Sequence, residues 1–200
     1  AKQAKVVHLD IDPAEINKNV KADAPVLGTA KETIPALTAL LHPAKHTEWI
    51  ESFREVDKQE FEKVIKRELH PESDEMTMGE VIRKISEATN HNAVVVTDVG
   101  QNQMMAARYS NYNIPRSLVT SGGLGTMGFG LPAAMGAKVG APHRTVVMYS
   151  GDGGFQMTIQ ELGTIMQEQL GVKMVILNNH FLGMVRQWQE FFYDRRYAAT

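Results

Sequence analysis

Short, nearly unbroken apolar runs alternate along the second half of the chain with segments whose apolar positions recur every three or four residues. Residues 93–98 (Ala-Val-Val-Val-Thr-Asp), 117–121, 145–150 and 172–177 read as strands. A strand covered on both faces has no polar side to alternate, so such runs are continuous rather than striped. Between them lie helical patterns. Val81, Ile82, Ile85 and Ala88 form a stripe behind Thr77-Met78-Gly79-Glu80, a capping box. Residues 131–139 form a small-residue helix. Thr158-Ile159-Gln160-Glu161, a second capping box, opens a helix that turns Ile159, Leu162, Ile165 and Met166 to the sheet and stops at Gly171. Strands and helices in alternation predict an α/β fold, a parallel sheet with helices on both faces.

The first third reads differently. Residues 6–9 form a strand ending in Asp10-Ile11-Asp12, and Pro13 opens a helix near 14–20. Val26-Leu27-Gly28 is a second strand and residues 33–41 a second helix. From 46 to 69, Trp49, Phe53 and Val56, then Phe61, Val64 and Ile65, recur at helical spacing among charges. They predict one or two amphipathic helices forming a solvated cover. Pro71-Glu72-Ser73-Asp74-Glu75 is the linker candidate. The expected layout is the tail of a Rossmann-like α/β domain with a helical connection over 1–70, a linker at 71–76, and a second α/β domain over 77–200. A strand begins almost at once and no capping feature closes the chain, so a piece of a longer protein is expected, C-terminally truncated.

Composition narrows the function classes little. Apolar content of 43%, charged content of 22% and a net charge of −2 are ordinary for a globular protein and favour neither a nucleic acid nor a membrane surface as partner. With no cysteine there is no disulfide and no thiolate ligand or nucleophile, which fits a cytoplasmic setting. No apolar run of membrane-spanning length and no signal-peptide core is present.

The chemistry concentrates at strand ends. The strand at 145–150 runs into Gly151-Asp152-Gly153-Gly154, and after a helix the strand at 172–177 ends at Asn178-Asn179. In this βαβ unit Asp152 and Asn179 stand just past the carboxyl ends of parallel strands, where open α/β sheets bind ligands. A carboxylate and an amide oxygen suit Mg²⁺ or Ca²⁺, and Mg²⁺ takes few protein oxygens when phosphates supply the rest. Glycines around Asp152 admit a phosphate to the backbone, and the helix start adds partial positive charge. Taken singly, each dipeptide reads first as a plain turn; the two together at matched strand ends turn the balance to a ligand site.

Gly-Asp-Gly, a helix and strand, then Asn-Asn, resembles the cofactor motif of the thiamine diphosphate enzymes. Leu182-Gly183-Met184-Val185-Arg186-Gln187-Trp188-Gln189 makes the chain similar, within them, to the acetolactate (acetohydroxyacid) synthase family. The resemblance implies decarboxylation of pyruvate and condensation with a second 2-keto acid, in branched-chain amino acid biosynthesis. It implies Mg²⁺ on Asp152, Asn179 and the Phe181 carbonyl, with His180 given no ligand role since Mg²⁺ prefers oxygen. It places Gly100, Gln101, Asn102, Gly153 and Gly154 about the diphosphate, Asn102 standing where the family more often has His. Gly125 and Met127 fall under the aminopyrimidine and thiazolium, and Met184 and Trp188 at the substrate. Asp10, Ile11, Glu15, Gly28, Thr29 and Ala30 match positions lining FAD, with Thr29 departing from the usual Asp. The activating glutamate of the family lies in a domain not seen here, so no catalytic side chain is expected in this segment, and the segment alone is expected to be inactive. A homodimer or tetramer, and a regulatory subunit, are the implied partners.

Three other readings stand beside this one. Another thiamine diphosphate-dependent 2-keto acid decarboxylase or carboligase would share the motif. Gly123, Gly125 and Gly128 satisfy G-x-G-x-x-G between a strand and a helix, as a dinucleotide site does, with Asp152 about twenty residues on. A cofactor half-site that folds but does nothing alone is the third. Arg186, Arg195 and Arg196 are expected to be solvated.

Overall fold

A computed structural model describes residues 4–200, and contacts divide the chain into two compact units, Ala1–Glu55 and Val56–Thr200. The 71–76 stretch lies inside the second. In the first, β1 (Val7–Asp10) and β2 (Ala24–Leu27) pair in parallel, Val7 opposite Ala24 and Asp10 opposite Leu27. The helix expected near 14–20 is not formed; the segment is a series of turns. Asp10 Oδ1 accepts the Asp12 N–H at 2.9 Å, Asp12 Oδ1 that of Ala14 at 2.8 Å, and Asn17 Oδ1 that of Ala22 at 2.7 Å. These local partners compete with a helical ladder, and Asn17 takes φ 66°. Helix α1 (Ala30–Leu40) starts three residues before the apolar pattern suggests. Thr29 caps it, with the Glu32 carboxylate accepting from the Thr29 hydroxyl at 2.8 Å.

Helix α2 (Thr47–Glu60) runs through a π-helical turn (Phe61–Ile65) into α3 (Lys66–Leu69). The stripe of Trp49, Phe53, Val56, Phe61 and Val64 stands exposed. Only Ile65 and Leu69 of this rod reach a core, so the expected cover is made by its last turns.

The second unit continues with α4 (Met78–Ala88), β3 (Val94–Thr97), α5 (Gln101–Tyr109), β4 (Leu118–Val119), α6 (Gly130–Gly140), β5 (Val146–Gly151), α7 (Asp152–Met157), α8 (Glu161–Gln167), β6 (Val172–Leu177) and α9 (Gly183–Phe192). Its sheet has the order β4-β3-β5-β6 and is parallel throughout. Alternate residues feed two cores. Val95, Val147 and Tyr149 pack under Ile82 of α4 and Ala106 and Tyr109 of α5. Val94, Val96, Val146 and Met148 pack under Leu131 and Ala134 of α6 and Ile165 of α8. Burial pushes the Tyr149 hydroxyl pKa well up. Each buried side chain of this size stabilises the unit by roughly 1.5–3 kcal/mol relative to exposure, and the two-sided cover adds to the strand preference of the Val-rich runs.

The helix between β5 and β6 departs from expectation. It breaks into α7 and α8, and the expected capping box at 158–161 is absent. The Thr158 hydroxyl donates instead to the Gly128 carbonyl at 3.1 Å. Ile165 is buried and Leu162 partly so, but Ile159 and Met166 face out. α8 ends on Gln169 at φ 50°, with the Leu170 N–H on the Ile165 carbonyl at 3.0 Å, so the left-handed position falls two residues before Gly171. At α4 the cap is half made. Thr77 Oγ1 accepts the Glu80 N–H at 3.2 Å, while the Glu80 carboxylate turns to Lys84 at 2.7 Å.

Candidate functional site

The order β4-β3-β5-β6 contains a topological switch. From β3 the chain goes to β4 by way of α5, on one face. From β5 it goes to β6 by way of α7 and α8, and α8 packs on the other. The loops leaving β3 and β5 therefore diverge, and a crevice opens between adjacent strand ends. A cavity of about 240 Å³ lies there. Its walls come from four segments: Val99 to Asn102 after β3, Gly125 and Met127 before α6, Gly151 with Gly153 and Gly154 at the β5–α7 junction, and Leu177 with Asn179 and residues 181–185 after β6.

The residues singled out in the sequence are distributed as follows. Gly100, Gln101, Asn102, Gly125, Met127, Gly153, Gly154, Asn179, Phe181 and Met184 all line this cavity. Asp152 opens α7 between two lining glycines. Trp188, one turn past Met184, is not a lining residue; it is 57% exposed and its ring lies 4.8 Å from that of Phe192. Gly151, Leu182, Gly183 and Val185, from stretches already singled out, and Met78, Val99 and Leu177, which carry no signal for a site beyond their apolar character, complete the walls.

Two buried polar atoms here have no hydrogen-bond partner: Asp152 Oδ1 and Asn102 Oδ1. A buried unpaired oxygen is costly unless something else meets it. An orphaned carboxylate oxygen at a strand end fits a hard cation, and the bare glycine backbone around it fits a phosphate. A Cβ on Gly153 would lie 2.7 Å from Leu182 Cδ2, so a side chain there would displace Leu182 in the cavity wall. Gly100 takes φ 132°, a conformation that L side chains rarely adopt. Asn179 Nδ2 donates to Gln101 Oε1 at 3.1 Å and its Oδ1 accepts the Phe181 N–H at 3.1 Å, so the tip of the β6 loop is tied to the start of α5. Asn102 Nδ2 reaches the Val99 carbonyl at 3.4 Å. Among the described residues no three His, Cys, Asp or Glu side chains converge.

The G-x-G-x-x-G loop is committed elsewhere. Asp98, 1% exposed at the end of β3, accepts the N–H of Gly128 at 3.1 Å and of Gly130 at 2.8 Å, besides its neighbour Val99 at 2.7 Å. A protein carboxylate thus occupies the α6 N-terminus, where a dinucleotide fingerprint would hold pyrophosphate. Asp98 carries no mark in the sequence except as an acid closing a buried run.

The Arg186 guanidinium is not simply solvated; it lies over the rings of Phe181 at 4.2 Å and Tyr197 at 3.9 Å. Arg195 approaches Glu190 at 3.5 Å. In the first unit, Asp10 ends β1, while Gly28, Thr29 and Ala30 follow β2 at the same carboxyl edge. Asp10 is held below the ordinary carboxyl range by the Asp12 backbone N–H and by His8, 3.6 Å away. Ile11 is exposed, and Glu15 pairs with Lys18 at 2.6 Å. Among the described residues no helix is long and apolar enough to cross a membrane.

Comparison with known proteins agrees with this geometry. Residues 98–200 match the family "Thiamine pyrophosphate enzyme, C-terminal TPP binding domain", and residues 1–37 match "Thiamine pyrophosphate enzyme, central domain". Over its whole length the chain is 47% identical to an acetolactate synthase large subunit of Lactococcus lactis subsp. lactis and 46% identical to an acetolactate synthase of Mycobacterium bovis. It is 42% identical to the acetolactate synthase isozyme 2 large subunit of Escherichia coli. The chain spans about a third of the length of these curated relatives (34%, 33% and 35%). The matched family model covers more than half of the chain, including all four segments that build the cavity except for Met78, and the chain belongs to the thiamine pyrophosphate enzymes.

Proposed function

We propose that this chain is the diphosphate- and metal-binding part of an acetolactate synthase catalytic subunit. That enzyme decarboxylates pyruvate and joins the remainder to a second 2-keto acid, giving acetolactate or acetohydroxybutyrate. The observation that carries the reading is the strand-end cavity, which gathers ten of the expected residues from four separate segments, with the buried, unpartnered Asp152 oxygen at its edge. The acetolactate synthase relatives support the choice of reaction within the family.

Thiamine diphosphate, when bound, supplies the electron sink that decarboxylation needs. The chain's own residues bind and orient it. Asp152, Asn179 and the Phe181 carbonyl hold Mg²⁺, with Asp152 as the charged ligand. Gly100, Gln101, Asn102, Gly153 and Gly154 offer backbone and amide donors to the diphosphate. Gly125 and Met127 support the two rings, and Met184 and Trp188 shape the substrate side. FAD on Asp10, Ile11, Glu15, Gly28, Thr29 and Ala30 is part of the proposal, as are a homodimer or tetramer, a regulatory subunit, a cytoplasmic setting and a domain junction at 71–76.

The test uses the full-length subunit. Pyruvate, Mg²⁺ and thiamine diphosphate together should yield acetolactate, and 2-ketobutyrate added with pyruvate should yield acetohydroxybutyrate. Acetaldehyde alone, or only a carboligation product other than these two, would assign the chain to a different thiamine enzyme.

A further inference from the structure

Three segments wall the cofactor cavity around one buried side chain. Asp98 sits under the loop that leaves β3, accepts two amides of the 125–130 loop, and packs against the start of α7. A Cβ on Gly154 would lie 2.8 Å from Asp98 Cγ, and one on Gly130 would lie 3.0 Å from Asp98 Cβ. Both glycines are buried, so their backbones close directly on the carboxyl group.

The geometry points to Asp98 as a positioning residue that fixes Met127 and Gly125 in the cavity wall. Gly128 takes φ 81°, and the amides of 128 and 130 are both directed at the Asp98 carboxylate. Without Asp98 these would be buried donors lacking partners, each costing roughly 1–3 kcal/mol. Met127 precedes Gly128 directly and lines the cavity. The loop has two further ties, the Thr126 N–H on Ser121 Oγ at 3.0 Å and the Thr158 hydroxyl on the Gly128 carbonyl at 3.1 Å. Ser121 holds the loop before Met127, and Asp98 and Thr158 hold it just after. Asp98 alone also touches the walls after β3 and β5. A carboxylate is costly to bury, and here three backbone N–H groups, two of them from the 125–130 loop, offset that cost.

This inference rests on the thiamine reading, and the experiment separates the two. The full-length subunit is compared with its Asp98→Asn variant. Asparagine keeps the shape but sets an NH₂ group against a backbone N–H, which displaces the loop. Asp98 hydrogen-bonds neither Asp152 nor Asn179, so the metal end of the site is disturbed less than the 125–130 loop. The expected result is a fall in kcat of about 10- to 100-fold, the scale of an ångström-size misplacement. Half-saturation by thiamine diphosphate and the Mg²⁺ dependence should stay close to the parent's, while the near-UV circular dichroism of the bound cofactor changes. A variant that loses only thermal stability, with parental kcat and cofactor spectrum, overturns the inference. So does one whose defect lies wholly in diphosphate binding. Should Asp98→Asn not fold, Gly130→Ala presses on the same contact with the carboxylate kept. The same split is expected of it, and parental kcat in that variant overturns the inference. A parent without Mg²⁺- and thiamine diphosphate-dependent turnover refutes the thiamine reading itself, before any variant is compared.

Discussion

Asp152 and Asn102 each leave one buried oxygen without a partner at the mouth of a strand-end crevice. For Asp152 that atom is the proposed metal ligand. Asp152→Ala in the intact enzyme should abolish Mg²⁺-dependent binding of thiamine diphosphate, because no other carboxylate is assigned to the ion. Titration of cofactor binding with and without Mg²⁺ checks it, and unchanged metal dependence would remove the assignment. Asn102 is 4% exposed and neutral. Asn102→His should add a group titrating near neutral pH to the profile of cofactor binding, which the parent lacks; a variant with the parental profile would separate residue 102 from the diphosphate. Trp188 stands on the same helix as Met184 but stacks on Phe192 outside the cavity walls. If it shapes the substrate side, Trp188→Leu should shift the pyruvate against 2-ketobutyrate product ratio on a scale of roughly 1–3 kcal/mol, with little change in cofactor affinity. Unchanged ratios in a competition assay would leave it a packing residue.

At the scale of elements, the glycine-rich loop shows how little a motif says without its surroundings. Gly123 and Gly128 are both motif glycines. A Cβ on Gly123 meets nothing within 4 Å, whereas Gly128 takes φ 81° and a Cβ there would lie 3.1 Å from Met157 Cβ. Gly128→Ala should destabilise the protein by about 1–3 kcal/mol, and Gly123→Ala should stay within about 0.5 kcal/mol of the parent. Urea-unfolding midpoints of the two variants test the contrast, and equal midpoints would refute it. The strands were legible because a doubly covered strand needs a continuous apolar run, as in Val94 to Thr97 and Val146 to Ser150. The segment at 14–20 was not, because Asn17 takes φ 66° in its middle and the side chains of Asp10, Asp12 and Asn17 fix turns at its two ends. The expected cap at 158–161 failed for a non-local reason, since Thr158 spends its hydroxyl on Gly128, thirty residues away.

For the whole molecule, the cavity lining contains no glutamate. The resemblance to thiamine enzymes calls for one beside the aminopyrimidine, and the chain spans about a third of its relatives. The 200-residue chain by itself should therefore form no acetolactate from pyruvate at a rate comparable to the full-length subunit and show at most weak Mg²⁺-dependent diphosphate binding; product assay and calorimetry on the purified chain measure both. Exposed Trp188, Phe191, Phe192 and Tyr193 on and after α9 should promote its association in solution.

The sequence by itself determined the parallel α/β architecture, the order of its elements and the strand ends where Asp152 and Asn179 sit, because each of these follows from local periodicity and from the polarity of a strand's last residue. Tertiary structure decided what the polar groups at those ends do. Asp98 and Asp152 each close a buried apolar run at the same edge of the sheet; the glycines around Asp152 set it apart locally, but they do not tell whether its oxygens are already taken. One is saturated by amides from residues 30 and 32 positions away, and the other keeps a buried oxygen free. Hydrogen-bond partners that distant are supplied only when the sheet and its loops close, so the difference between a carboxylate that holds the site together and one that faces its ligand exists only in three dimensions.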